Sequence, residues 1–200
     1  MTDFRAALIE FIGEQARPID KFGHQPRLYA LARLVGEGLA FDDDVVFAAI
    51  WLHDLGVFVG HRPEEPDALA RWDSVAYAME RAPGVLQDVG FPREKIEAVV
   101  EAIRTHQPAA NPVSIEGEIV RDADILEQLG AIAVLRTACK VGRDTRFPAF
   151  TDAARALRVS LERLPGHIRL ENTCRLAAPK IRALESFLLS LDQEALGALY

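Results

Sequence analysis

The chain has 200 residues, half of them hydrophobic and 26% charged, which suits one globular domain able to bury a sizeable core without disulfide or metal staples. No apolar run approaches the roughly 18 charge-free residues of a membrane span, and Met1-Thr2-Asp3-Phe4-Arg5 lacks the pattern of a secretory signal. The net charge of −7 argues against binding to nucleic acid or an anionic membrane, yet leaves room for a local basic pocket that takes a small phosphorylated ligand.

Alanine (30) and leucine (23) dominate, a composition that favours helix over sheet. Phe4, Leu8, Phe11 and Ile12 recur at helical spacing and predict a first helix that ends before Pro18. A second helix is expected from about His24 to Gly36, with Leu28, Leu31, Ala32 and Val35 on one stripe. Asp42-Asp43-Asp44 reads as the cap and first turn of a third helix, because carboxylates favour the positive end of the helix dipole. That helix is apolar on every face from Val45 to Leu52, and such a helix has to be buried on every face.

A fourth helix is predicted over about 67–81, interrupted by Pro83-Gly84. A fifth opens at Gly90-Phe91-Pro92, with Pro92 near its first turn and Ile96, Val99, Val100 and Ile103 facing inward. Residues 107–112 form a loop, after which one long helix is expected to run from about Ser114 to Cys139. The charged stretch Lys140–Pro148 is expected to be a mobile active-site loop. Two more helices are predicted over 150–164 and 167–191, and no segment reads as a strand. The fold class is therefore all-α, an irregular single-domain helical bundle over residues 1–200. Its core spans about 20–140, with the helices of 141–200 packing on it. Two isolated cysteines, Cys139 and Cys174, fit a reducing cytoplasm, and a monomer or homodimer is expected.

Chemistry enters where polar residues interrupt the apolar pattern. His53-Asp54 follows eight consecutive apolar residues, and a buried carboxylate must be paired, hydrogen-bonded or bound to metal. A bare His–Asp pair is more often structural than functional, but this one has companions. His106 lies on the inward stripe of its helix. Asp122 and Asp124 sit in an otherwise apolar helix, about 200° apart around its axis, so they cannot serve one site equally. The helical wheel favours Asp122 as the more buried of the two. His24 opens the second helix with Arg27 one turn along. Two imidazoles with two carboxylates make a mixed nitrogen–oxygen set suited to one Mn, Fe, Co, Ni or Zn ion. Such an ion lowers the pKa of water and draws charge from the oxygen under attack.

These residues resemble the HD-domain superfamily of metal-dependent phosphohydrolases, whose pattern is a His, an adjacent His-Asp pair and a distant Asp on an all-helical core. Here the pattern reads His24…His53-Asp54…Asp124, within Trp51-Leu52-His53-Asp54-Leu55-Gly56 and Asp122-Ala123-Asp124-Ile125-Leu126. It covers roughly residues 20–140 and is similar to a small bacterial subgroup of predicted HD hydrolases that includes nucleoside-triphosphate pyrophosphatases. The resemblance implies that His24, His53, Asp54 and Asp124 bind one divalent metal ion. It favours Asp124 over Asp122 as the ligand and gives Asp122 a supporting part. Val57 stands where nucleotidase relatives often carry a Glu, which weakens a simple monophosphatase reading. With no His in Arg71-Trp72-Asp73-Ser74 to hold a second ion, His106 is expected to line the substrate pocket.

The implied activity is hydrolysis of a phosphate ester or anhydride, with a nucleotide the leading substrate. Asp54, Arg27 and His106 are the expected catalytic residues. Positive charge for the phosphoryl oxygens is expected from Arg27, Lys21, Arg62, Arg104, Lys140, Arg143 and Arg146. Two other readings compete: an HD-type oxygenase, which needs further His ligands, and a non-catalytic metal- or nucleotide-binding signalling module.

Overall fold

The computed structural model describes residues 3–18 and 21–200. Among them are ten α-helices and no β-strand, so the all-α expectation holds. The chain divides into two units, Met1–Arg121 and Asp122–Tyr200.

The first unit is built around the helix expected to be central. α1 (Phe4–Gln15) is capped by Asp3, α2 (His24–Val35) follows, and α3 (Asp43–Leu52) starts where Asp42 accepts hydrogen bonds from the Asp44 and Val45 amides. All eight residues from Val45 to Leu52 are buried, as an all-round apolar surface demands. The acids at the start of α3 do more than complement its dipole. Arg5 of α1 bridges Asp43 and Asp44 at 2.8 and 2.6 Å and donates to the Tyr29 hydroxyl of α2 at 2.9 Å. Its guanidinium also lies 4.7 Å from the centre of the Phe47 ring. Lys95 reaches Asp42 at 2.8 Å from a 3-10 turn, Arg93–Lys95. One end of α3 is thus held by ion pairs, and the His53-Asp54 pair lies at the other.

The fourth predicted helix proves to be two, α4 (Pro66–Ala70) and α5 (Ser74–Asp88). The break comes at Arg71–Asp73, where Asp73 caps α5 by accepting from the Val75 and Ala76 amides. Pro83-Gly84 does not interrupt α5, contrary to the expectation. Ala78, Ala82, Val85 and Leu86 form one buried stripe along it, and that packing outweighs the roughly 3 kcal/mol a mid-helix proline costs. Pro92 caps the Arg93–Lys95 turn, and α6 (Ile96–Arg104) follows with Val99, Ala102 and Ile103 buried. α3 packs against α1, α2, α5 and α6.

The long helix expected to reach Cys139 is also two. α7 (Ile115–Glu127) ends in a turn at Gln128–Leu129, and α8 (Gly130–Ala138) begins anew. Gly130 has φ +79°, and a Cβ there would sit 3.1–3.2 Å from Lys180, so both backbone shape and space call for glycine. Apolar neighbours on both sides hide this break from a periodicity reading.

In the second unit α8, α9 (Phe150–Arg163) and α10 (Glu171–Ala195) pack against one another. α10 starts later and ends later than predicted: His167 belongs to a 3-10 turn, Leu164–His167, and the helix continues through Pro179. The segment from Lys140 to Pro148 is tied by its own bonds. The Gly142 amide donates to the Phe147 carbonyl at 3.0 Å, and Arg146 forks onto Asp144 at 3.0 and 2.6 Å.

Asp122 is fully buried, and its Oδ2 accepts the backbone amides of Arg169 (3.1 Å) and Leu170 (2.8 Å) that lead into α10. Asp122→Ala would leave two partly buried amides without this acceptor, at about 3 kcal/mol together. A fall in Tm of about 6–12 °C is expected by thermal circular dichroism, at roughly 2–4 °C per kcal/mol for a chain of this size. A shift under about 2 °C would show that the clamp contributes little.

Candidate metal centre

α3 stops at Leu52, and His53 caps it with helical backbone angles while Asp54 leads into a 3-10 turn, Leu55–Val57. His53 Nδ1 lies 2.8 Å from the Ile50 carbonyl and His106 Nδ1 lies 2.6 Å from the Ile103 carbonyl. Only a protonated Nδ1 can donate there, so in both rings Nε2 is the nitrogen that can bind a metal or accept a proton. Each imidazole uses the carbonyl three residues back at the end of its own helix. The same local geometry therefore sets both tautomers.

His24, the first residue of α2, is buried, as are His53 and His106. Its ring centre is 5.4 Å from that of His53, and His53 is 5.0 Å from His106, both pairs edge to face. Asp54 stands beside them, with Oδ2 3.8 Å from His24 Nε2 and Oδ1 3.6 Å from His53 Nε2. Burial pushes the Asp54 carboxyl up. The charge of Lys21, and those of His53, His24 and His106 when their rings are protonated, more than offset this and hold it below the ordinary carboxylate range.

Asp124 of α7 completes the set: one ligand atom from each of His24, His53 and Asp124 lies within 4.8 Å of the others. An ion about 2.1 Å from each donor keeps them within about 4.2 Å, so shifts of a few tenths of an ångström suffice. Two neutral imidazoles and a carboxylate, with a second carboxylate alongside, fit a borderline divalent ion. Asp122 is outside this group, its carboxylate being occupied by the approach to α10.

The basic residues are spread more widely. Lys21 is close enough to act on the Asp54 charge, and Arg27 is half-buried one turn along α2 from His24. Arg62 is half-buried in the loop before α4, and Arg104 is exposed and paired with Glu101 at 3.5 Å. In the second unit Lys140 and Arg146 each place their charge over the Phe147 ring, at 5.5 and 5.6 Å, and exposed Arg143 donates to the Cys139 carbonyl. Sequence reading passed over Gln128, whose amide nitrogen donates to Asp124 Oδ2 at 2.9 Å. The signal was available: residues four apart on a helix are neighbours. It also passed over Arg121, which is buried and donates to the Ala110 carbonyl at 3.1 Å.

The HD domain family model matches residues 22–129, more than half of the chain and every member of this group. The chain belongs to the HD-domain family. HD domains bind divalent metals, and the His24–His53–Asp124 group is one that could hold such an ion. Several solved structures share the fold along the whole chain. An HD-superfamily hydrolase from Bacillus thuringiensis is 22% identical, with 97% of each chain covered and a TM-score of 0.70. Bacillus subtilis YpgQ, solved in complex with ADP, is 22% identical, with 96% of this chain and 92% of that chain covered and a TM-score of 0.68. A predicted HD superfamily hydrolase from an uncultured Thermotogales bacterium is also 22% identical, covers 96% and 91%, and has a TM-score of 0.63. At this identity the likeness concerns the HD fold. No curated protein matches the chain. No helix among the described residues is long and apolar enough to cross a membrane.

Proposed function

We propose that this HD domain is a metal-dependent phosphohydrolase that cleaves a phosphate ester or anhydride bond, with a nucleotide as substrate. The observation that carries the reading is the convergence of His24, His53 and Asp124 within 4.8 Å beside the Asp54 carboxylate. In this reading His24, His53, Asp54 and Asp124 hold one divalent ion. When bound, the ion supplies Lewis acidity, activating water near neutral pH and withdrawing charge from a phosphoryl oxygen.

The chain's own groups do the remaining work. Asp54, standing beside both imidazole donors, accepts a proton from the attacking water through the oxygen that does not hold the ion. Lys21 and Arg27 neutralise the non-bridging phosphoryl oxygens, and Arg62, Arg104, Lys140, Arg143 and Arg146 are further sources of positive charge. His106, with Nδ1 committed to Ile103, works on the substrate through Nε2. The nucleotide assignment is supported by the ADP held by the similarly folded YpgQ. A reducing cytoplasm is in keeping with two exposed thiols that form no disulfide.

The test uses the untagged full chain. Bound metal is quantified, then nucleoside mono-, di- and triphosphates are screened with Mn, Co, Ni and Mg, and released phosphate and pyrophosphate are measured separately. Turnover that chelator abolishes and added metal restores is the expected result. A chain that retains less than about one ion per five molecules after metal loading overturns the reading.

A further inference from the structure

Between Arg121 and Gly130 every residue is buried except two, Asp124 and Gln128. They stand one turn apart, so the only partly open face of this stretch carries one carboxylate and one amide. The Gln128 amide nitrogen lies 2.9 Å from Asp124 Oδ2 and 3.3 Å from the Asp124 backbone carbonyl. Its own backbone amide donates to the Ile125 carbonyl at 3.1 Å, in the turn that ends α7. Leu129 is fully buried behind it, and Gly130 then reverses the chain in the left-handed region.

We propose that Gln128 is a positioning residue that fixes the Asp124 carboxylate for the divalent ion. The inference rests on the metal-dependent reading above. An aspartate on a helix has two side-chain rotors to freeze when it becomes a ligand. A hydrogen bond from a neutral amide to the ionised carboxylate freezes them in advance and is stronger than one between neutral groups. The donor is uncharged, so it orients Asp124 without competing with the ion for the carboxylate as a lysine or arginine would. The turn at Gln128–Leu129 and the buried Leu129 keep the amide where it can reach both acceptors of the same residue. Such outer partners of metal ligands typically carry 10–100-fold in metal affinity.

The test is Mn2+ affinity of the full-length chain, compared with the melting of the same chain stripped of metal. Gln128→Met keeps the approximate side-chain length and the helix propensity while removing the amide, and with it the N–H donor to Asp124. It should weaken Mn2+ binding about 10-fold and broaden the electron paramagnetic resonance signal of the bound ion. Melting of the metal-free chain should move by less than about 2 °C, as for an ordinary pair four residues apart. Gln128→Ala removes the whole side chain and should weaken binding to the same extent, because only the donor counts. Wild-type affinity in either variant overturns the inference, as does a melting loss above about 5 °C in the metal-free Gln128→Met chain. Asp124→Ala separates this failure from failure of the parent reading: if it binds Mn2+ as tightly as the wild type, the metal site itself is wrong.

Discussion

Asp54→Ala is expected to abolish metal binding and phosphate release together while leaving the helical circular-dichroism signal intact. The carboxylate stands 3.6–3.8 Å from the Nε2 atoms of His53 and His24, so it is a negative charge close to both imidazole donors. Removing it leaves two neutral nitrogens and Asp124, a set with one carboxylate to offset a double positive charge. The loss should exceed the 10–100-fold seen for partners beyond the ligands, so about 100-fold or more in affinity. The fold should tolerate the change. Asp54 follows α3 rather than lying within it, and its side chain is one-fifth exposed. Isothermal titration with Mn2+ and a phosphate-release assay measure the two effects. Activity retained at more than about a tenth of wild type, at saturating metal, would remove Asp54 from the proposed chemistry.

Gly56→Ala is expected to produce the largest stability loss of any single methyl added near the site. A Cβ at Gly56 would lie 2.3 Å from the Ser74 carbonyl oxygen and 2.8 Å from its Cα. The obstacle is backbone, which cannot rotate aside as a side chain can. The same glycine accepts the Trp72 indole N–H at 2.7 Å, so a shift that relieves the clash also strains the start of α5. Overpacking of this kind costs about 1–3 kcal/mol, and a backbone obstacle belongs at the upper end. That corresponds to a fall in Tm of about 6–12 °C. Because Gly56 lies two residues from Asp54, Mn2+ affinity should fall as well. A Tm within about 2 °C of wild type would show that α5 yields readily.

The sequence made α1, α2 and α3 legible because each carries a period, a cap and a stop. Asp42 caps α3 as its charge and position suggested, and the wall-to-wall apolar run is buried throughout. The misjudged boundaries share one cause: the deciding contact is distant in the chain. Pro83 was read as a breaker, yet the stripe Ala78, Ala82, Val85 and Leu86 carries α5 past it. Gly130 was read through as helix, yet Lys180, fifty residues on, fills the space a side chain would need.

At the site, His53 and Asp54 stood out as polar residues ending an apolar run, and His24 and Asp124 followed from the family pattern. The two acids of α7 are more instructive. The helical wheel ranked Asp122 as the more buried, and it is. Its burial goes with clamping two backbone amides, whereas Asp124, on the more open face, joins the imidazoles. Burial and nearness to the imidazoles are separate properties, and periodicity reports only the first. Gln128 was missed because an uncharged amide on a half-open face carries no signal until its partner is known.

The uninterrupted burial of α3 has a kinetic corollary. A helix with no solvent-facing side fails only when its neighbours part, so its amides should exchange hydrogen for deuterium at the slowest rate in the first unit. His53 is attached to the end of that slowest-opening segment. Stripping the ion with chelator should therefore leave the imidazole cradle standing, ready to reload in a single bimolecular step without a folding lag.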